Sequence, residues 1–359
     1  MNKDLTIIIP TYNDSIKEIK CSLDSITLQN SYDSSKIEII IIDDNTTIKS
    51  VNWNEILKLY PQLNIKYIKL LENKGPGNAR QVGLDNAIGD FIFFLDCGDS
   101  LFDSTVLEVF NSKKTDDCDI ISTKLYDEET KTKRRSYLLN NAYIFGIFIK
   151  RKFLIENNIR FSEILRWEED AYFEDKIRFY YPKIVSTGST IGYSYNVNSN
   201  SITRRNNHEY QNNFSGFSAM VVKSILICDF YKNEKAFKEM INEAIRILSV
   251  CYSRFYSYIF QNNDISERIS KILYLLKILI IIVPFNINSE EFRQLFVKNI
   301  YQRNLLKNNY QVPYDKINDF MNIVCSYENL YDDYDIEGTN ISINNFIEEI
   351  GIKNNKISK

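Results

Sequence analysis

The chain has 359 residues, 44% of them hydrophobic and 25% charged, which excludes disordered and fibrous classes and allows two or three structural units at roughly 150 residues each. Lys+Arg (44) nearly balance Asp+Glu (47), for a net charge of -3, so no global basic field draws the molecule to nucleic acid or an anionic membrane. Six cysteines without a Cys-x-x-Cys pair argue against a zinc module or a disulfide framework and fit a reducing cytoplasm.

Residues 5–9 and 37–42 are short β-branched runs, the pattern of strands buried on both faces of a parallel sheet, and Ile16, Ile19, Leu23 and Ile26 between them recur at helical spacing. A third strand is expected over 65–70, a helix over 79–88, and a fourth strand over 91–95 that ends at Asp96. The alternation predicts a doubly wound α/β layer, with ligands gathered beyond the strands' carboxyl ends. The polar clusters 11–14, 43–47 and 96–100 fall there. Over 120–203 the pattern is mixed: short strands at 120–125 and 142–149, a helix near 151–157, and an acidic segment at 167–175. From 206 to 307 it is helical, with no glycine between Gly216 and Gly338. Too few apolar residues precede Pro10 for a signal peptide, and the longest apolar stretch, 272–285, is broken by Lys277 and Pro284 and falls short of the roughly 20 residues that span a bilayer. Neither secretion nor a transmembrane helix is expected.

The first strand leads into Pro10-Thr11-Tyr12-Asn13, without the glycines of a dinucleotide fold or a Walker lysine. Asp43-Asp44-Asn45-Thr46 ends the second strand, Asn73-Lys74-Gly75-Pro76-Gly77-Asn78-Ala79-Arg80 precedes the second helix, and Leu95-Asp96-Cys97-Gly98-Asp99 ends the fourth strand. Trp167-Glu168-Glu169-Asp170 and the tyrosine-rich stretch from Tyr193 to Asn196, closing on Asn200-Ser201-Ile202-Thr203, complete the order. In this order the pieces resemble the family 2 glycosyltransferases of GT-A fold, over residues 5 to about 205.

The resemblance implies a GT-A catalytic domain at 1–205, its sheet mixed and mainly parallel, with a nucleotide-sugar half (1–115) and an acceptor half (116–205), followed by a helical C-terminal module (206–359). It implies an inverting, metal-dependent transfer from a nucleoside-diphosphate sugar, foremost a UDP-sugar, to a hydroxyl of a surface glycan or glycolipid. Pro10, Tyr12, Asn13, Asp44, Gly75, Arg80, Asp96, Arg204 and Arg205 would bind the donor, with Asp44 and Tyr12 offering an acceptor and an aromatic wall to the base and Arg80 forking the diphosphate. Asp96, Asp99 and His208 would hold Mn2+ or Mg2+. Gly98 stands where the family's middle aspartate belongs, so either Asp99 supplies the second ligand or Asp96 does most of the work. Asp170 would be the general base and Glu169 a supporting or acceptor-binding residue, with an exchange of the two roles as the alternative.

Blander readings stand beside these: a helix-surface salt bridge for Arg80, an ordinary turn at Asp96, a solvated acidic helix start at 167–173, and a plain loop residue at His208. The rival functions are a non-catalytic sugar-nucleotide-binding or scaffolding protein, and a glycosyltransferase acting on a modified nucleobase or a polyol-phosphate polymer. For the latter the basic cluster Lys131, Lys133, Arg134, Arg135 offers an anionic acceptor contact. The helical module is expected to serve self-association or acceptor docking. Residues 271–285 read as a buried helix, with peripheral contact at the inner face of the membrane as the alternative.

Overall fold

Strand β1 (Lys3–Thr11) is buried along nearly its whole length because it lies between two parallel neighbours, β2 (Ile37–Asp43) and β4 (Gly89–Phe94), with Ile7 opposite Ile39 on one side and Phe93 on the other. The computed structural model describes residues 3–30, 33–48, 51–135, 144–196, 215–261, 267–283, 286, 289–302, 314–328 and 333–352. Between β1 and β2, helix α1 (Ile16–Thr27) opens with a capping box from Ser15 and Glu18 and buries Ile19, Leu23 and Ile26 against the sheet. Helix α2 (Trp53–Lys58) leads to β3 (Ile65–Lys69), which pairs parallel with β2. Helix α3 (Pro76–Asn86) starts three residues earlier than its apolar spacing suggests, because Pro76, preset to helical φ, occupies the first turn.

After β4 come β5 (Ser100–Leu101), α4 (Val106–Lys113), β6 (Ile120–Asp127), β7 (Thr132–Arg135), β8 (Ile147–Lys150), α5 (Arg151–Glu156), α6 (Glu169–Phe179) and β9 (Ile184–Tyr195). The sheet runs β3-β2-β1-β4-β8-β6-β9-β5, with β7 beside β6. Its first four strands are parallel. The turn to antiparallel comes at β8. The parallel register sets Thr11 opposite Asp43 and Ile8 opposite Phe94, so the loops at Tyr12, Asp44 and Asp96 emerge at one edge, as the alternation predicted. Phe94 meets Phe161 and Phe173 edge-on, at ring-centre distances of 5.4 and 5.9 Å. These contacts pin the start of α6 beside the end of β4.

The chain divides into two compact units, Met1–Arg205 and Asn206–Lys359. In the second, α7 (Ser215–Asn233), α8 (Phe237–Gln261), α9 (Glu267–Ile282), α10 (Glu290–Gln302), α11 (Tyr314–Ser326) and α12 (Ile343–Glu349) follow in order. Tyr252 of α8 packs edge-on against Phe296 and Phe320, and Ile272, Leu273, Leu275, Leu276, Ile278 and Leu279 of α9 are fully buried. Among the described residues, no helix is long and apolar enough to cross a membrane.

Candidate active site

The motif carboxylates at the strand ends are largely bound to the chain itself. Asp43 accepts from Thr46 N (2.6 Å) and the Tyr67 hydroxyl (2.6 Å). Asp44, expected to face a nucleotide base, is 3% exposed and instead accepts the backbone N–H groups of Lys74 (3.0 Å) and Gly75 (2.8 Å). It fastens the turn before α3, and burial raises its carboxyl above the usual range. Asn13 adopts left-handed backbone geometry (φ 56°), and its side-chain oxygen accepts from Thr47 N and Ile48 N, tying the β1 and β2 loops together. Pro10 is buried within the sheet opposite Ile42, and Gly75 caps α3 at φ 93°. Of the expected base-binding residues only Tyr12 is open, at 43% exposure.

Arg80, expected at the diphosphate, is 3% exposed. Its Nη2 donates to both oxygens of Asp96 (2.8 and 3.1 Å) and its Nη1 to Glu169 Oε1 (2.9 Å). The guanidinium lies 5.6 Å from the centre of the Phe145 ring, and its Nε is buried without a hydrogen-bond partner. Arg80 therefore joins the end of β4 to the start of α6 rather than facing an open cleft. Gly77 makes this approach possible: a Cβ there would stand 2.7 Å from Glu169 Cγ.

Glu169 and Asp170 divide along the same line. Glu169 is buried on Arg80, and desolvation, reinforced by the Asp170 charge, pushes its carboxyl up to about 8. Asp170 is half-buried and accepts from Ala171 N at 2.8 Å. Burial raises it as well, against the pull of Arg80. Between the two, Asp170 is the carboxylate with an accessible face and heightened basicity, as a general base requires.

A hard divalent cation in such a site takes one or two carboxylates and completes its shell with phosphate oxygens and water. Asp96 fits this role. Its side chain is 33% exposed, and a carboxylate held by one guanidinium nitrogen keeps lone pairs for a metal. Asp99 does not fit: it is buried, with Oδ2 accepting the Tyr193 hydroxyl (2.5 Å) and Oδ1 accepting Asn196 N (2.8 Å). Gly98 has φ 95°, a backbone that side-chain-bearing residues rarely adopt. A side chain at position 98 would be strained in this turn. Among the described residues no group of three or more His, Cys, Asp or Glu side chains is placed to hold a metal. Arg204, Arg205 and His208 lie outside the described residues.

Sequence reasoning missed the groups that secure this loop. Ser22 Oγ accepts Gly98 N (3.0 Å) and donates to Asp99 O (2.8 Å), and Asn196 Nδ2 donates to Gly98 O (2.8 Å). The Tyr193-Ser194-Tyr195-Asn196 stretch was the available signal.

Comparison with known proteins agrees with this architecture. The family model described as Glycosyl transferase family 2 matches residues 6–199. Poly(ribitol-phosphate) beta-N-acetylglucosaminyltransferase TarP of Staphylococcus aureus (strain N315) is 26% identical over 190 residues, covering 48% of this chain and 56% of TarP. TarS of S. aureus (strain Mu50), which carries the same enzyme description, is 28% identical over 185 residues, covering 48% of this chain and 32% of TarS. The chain thus spans about half or less of the length of these relatives. The crystal structure of S. aureus TarS 1–349 in complex with UDP-GlcNAc has a similar fold, with TM-score 0.61 at 21% identity over 93% of this chain and 95% of that one.

Proposed function

Because the chain belongs to glycosyl transferase family 2, we propose that this glycosyltransferase moves N-acetylglucosamine from UDP-GlcNAc to a hydroxyl of a polyol-phosphate polymer, inverting the anomeric centre. The observation that carries the reading is the buried Arg80 guanidinium paired with Asp96 and Glu169, with the half-buried Asp170 carboxylate within its electrostatic reach. The names of TarP and TarS favour the sugar and the polyol-phosphate polymer, the acceptor that the sequence offers as the alternative to a glycan or glycolipid.

In this proposal the Tyr12 ring walls the uracil, and Arg80 orients Asp96 toward the diphosphate. Asp170 takes the proton of the attacking hydroxyl while the new C–O bond forms at the anomeric carbon. The bond to the diphosphate oxygen breaks in the same displacement, its electron pair leaving with UDP. A divalent cation bound at Asp96 would compensate the charge of the leaving diphosphate. Arg204, Arg205 and His208 keep their expected roles as phosphate and cation partners. The free thiols of all six cysteines suit action in a reducing cytoplasm.

The test is incubation of the full chain with Mn2+, poly(ribitol phosphate) and a panel of UDP-sugars, with product detected by mass spectrometry and its anomeric configuration read by NMR. Polymer carrying β-linked N-acetylglucosamine is expected. Transfer of none of the panel, transfer only of another sugar, or an α-linked product would overturn the proposal.

A further inference from the structure

Asp99, the expected second cation ligand, belongs to a hydrogen-bonded chain that ends on the backbone of Asp96. Asn196 N donates to Asp99 Oδ1 at 2.8 Å, and the Tyr193 hydroxyl donates to Asp99 Oδ2 at 2.5 Å. The same Tyr193 oxygen accepts the Asp96 backbone N–H at 3.3 Å, and Asn196 Nδ2 holds the Gly98 carbonyl at 2.8 Å. Tyr193 is fully buried. Tyr193 and Asn196 sit at the end of β9, whereas Asp96 leaves β4. The two strands are not neighbours in the sheet, so the position of Asp96 is set across the sheet as well as along its own strand.

We propose that Asp99 and Tyr193 act together as a positioning clamp for Asp96, and that neither is a cation ligand. Hydroxyl-to-carboxylate bonds are short and strong, which suits a link that must hold a glycine-containing turn in one geometry. The turn is held from a second side by Ser22 of α1, which accepts Gly98 N and donates to Asp99 O. A displacement of about 1 Å at a reacting centre can cost on the order of 10²-fold in rate, so loosening this turn acts on turnover through Asp96. The inference deepens the proposed transfer reaction and rests on it for its kinetic arm.

The test compares wild type, Asp99→Asn, Tyr193→Phe and Asp96→Asn as full chains whose near-ultraviolet circular dichroism matches wild type. Mn2+ affinity and the line shape of bound Mn2+ are read by EPR in the presence of UDP, and kcat and KM from UDP-GlcNAc transfer. Asp99→Asn and Tyr193→Phe should leave Mn2+ affinity within about twofold, alter the bound line shape in the same way, and lower kcat by about tenfold or more with little change in KM. Asp96→Asn should weaken Mn2+ by about tenfold or more. Asp99→Asn weakening Mn2+ as much as Asp96→Asn, with Tyr193→Phe unchanged, would make Asp99 a ligand and overturn the clamp. Wild-type kcat and line shape in both clamp variants would leave only packing and overturn it equally. Wild-type protein that binds Mn2+ and UDP but transfers no sugar would refute the proposed function instead, while the EPR arm still decides the clamp.

Discussion

In the first unit one guanidinium, Arg80, pairs with Asp96 and Glu169 while Asp170 adjoins them. In the second unit one carboxylate, Glu243 of α8, pairs with Lys223 (3.4 Å) and Arg246 (2.6 Å) and accepts the Ser224 hydroxyl (2.7 Å). Both clusters are largely buried, and burial alone raises the carboxyl in each. The charge ratio decides the outcome. Around Glu243, the Lys223 charge and then Arg246 overcome desolvation and hold the group well below the carboxylate range. Around Glu169, desolvation and the neighbouring Asp170 charge overcome the single arginine. An excess of cations makes an internal tie that stays ionised at working pH. An excess of acids leaves carboxyls poised to exchange protons, which is the condition for base chemistry.

The largest effect that would sharpen this contrast comes from removing each arginine. Arg80→Met leaves the Asp96 carboxylate without its cation and the buried Glu169 carboxyl without its donor, and breaking a buried pair in this way costs about 3–5 kcal/mol. Arg246→Met leaves Glu243 with Lys223, so its cost should be nearer 1–3 kcal/mol. Urea unfolding can resolve the units, since both tryptophans, Trp53 and Trp167, lie in the first one and their fluorescence reports it alone. Equal losses for the two variants would break the comparison.

The pH dependence of stability should take opposite signs in the two units. The folded-state value of Glu169 is raised from 4.5 to about 8, so between those values the native state holds a proton that the unfolded chain releases. Stability of the first unit should therefore fall as pH rises through that window. Glu243 is lowered from 4.5, so its contribution is present above that value and is lost as pH falls below it. Glu169→Gln should flatten the decline seen by tryptophan fluorescence toward pH 8. Glu243→Gln should flatten the acid loss seen by circular dichroism at 222 nm. A decline between about pH 6 and 8 that survives in the Glu169→Gln/Asp170→Asn double variant would refute the acid-rich account of the first cluster.

The smallest effect concerns the turn at Gly98. Gly98→Asp restores the side chain of the family's usual motif, but φ 95° penalises it by about 1–2 kcal/mol. Thermal unfolding should show this loss with no gain in Mn2+ affinity. Tighter Mn2+ binding would show that the turn adapts.

The frame of the first unit was readable in the sequence because 5–9, 37–42 and 91–95 are predominantly apolar runs, broken only by Thr6 and Glu38, and each ends in a polar cluster. Periodicity did not reveal α2 or α4, which are only 6 and 8 residues long, too short for a 3.6-residue repeat to stand out. The candidate residues could be named from the sequence, but their hydrogen-bond partners could not. Asp44 bonds Gly75 across 31 positions, Arg80 reaches Glu169 across 89, and Asp99 accepts Tyr193 across 94. Such pairings follow from strand order and helix docking, which no local spacing encodes. Asp44, Arg80 and Asp99 were read as facing ligands, whereas their hydrogen bonds run to the turn before α3, to Asp96 and Glu169, and to Tyr193 and Asn196, respectively.

The division between Glu169 and Asp170 is the centre of the account, and Asp170→Asn tests it most directly, because the amide keeps the size of the side chain and removes its basicity. UDP-GlcNAc affinity, measured calorimetrically, should stay within about twofold of wild type, while turnover falls by about 10²- to 10⁴-fold. Near-normal turnover in Asp170→Asn would contradict the assignment of Asp170 as the base.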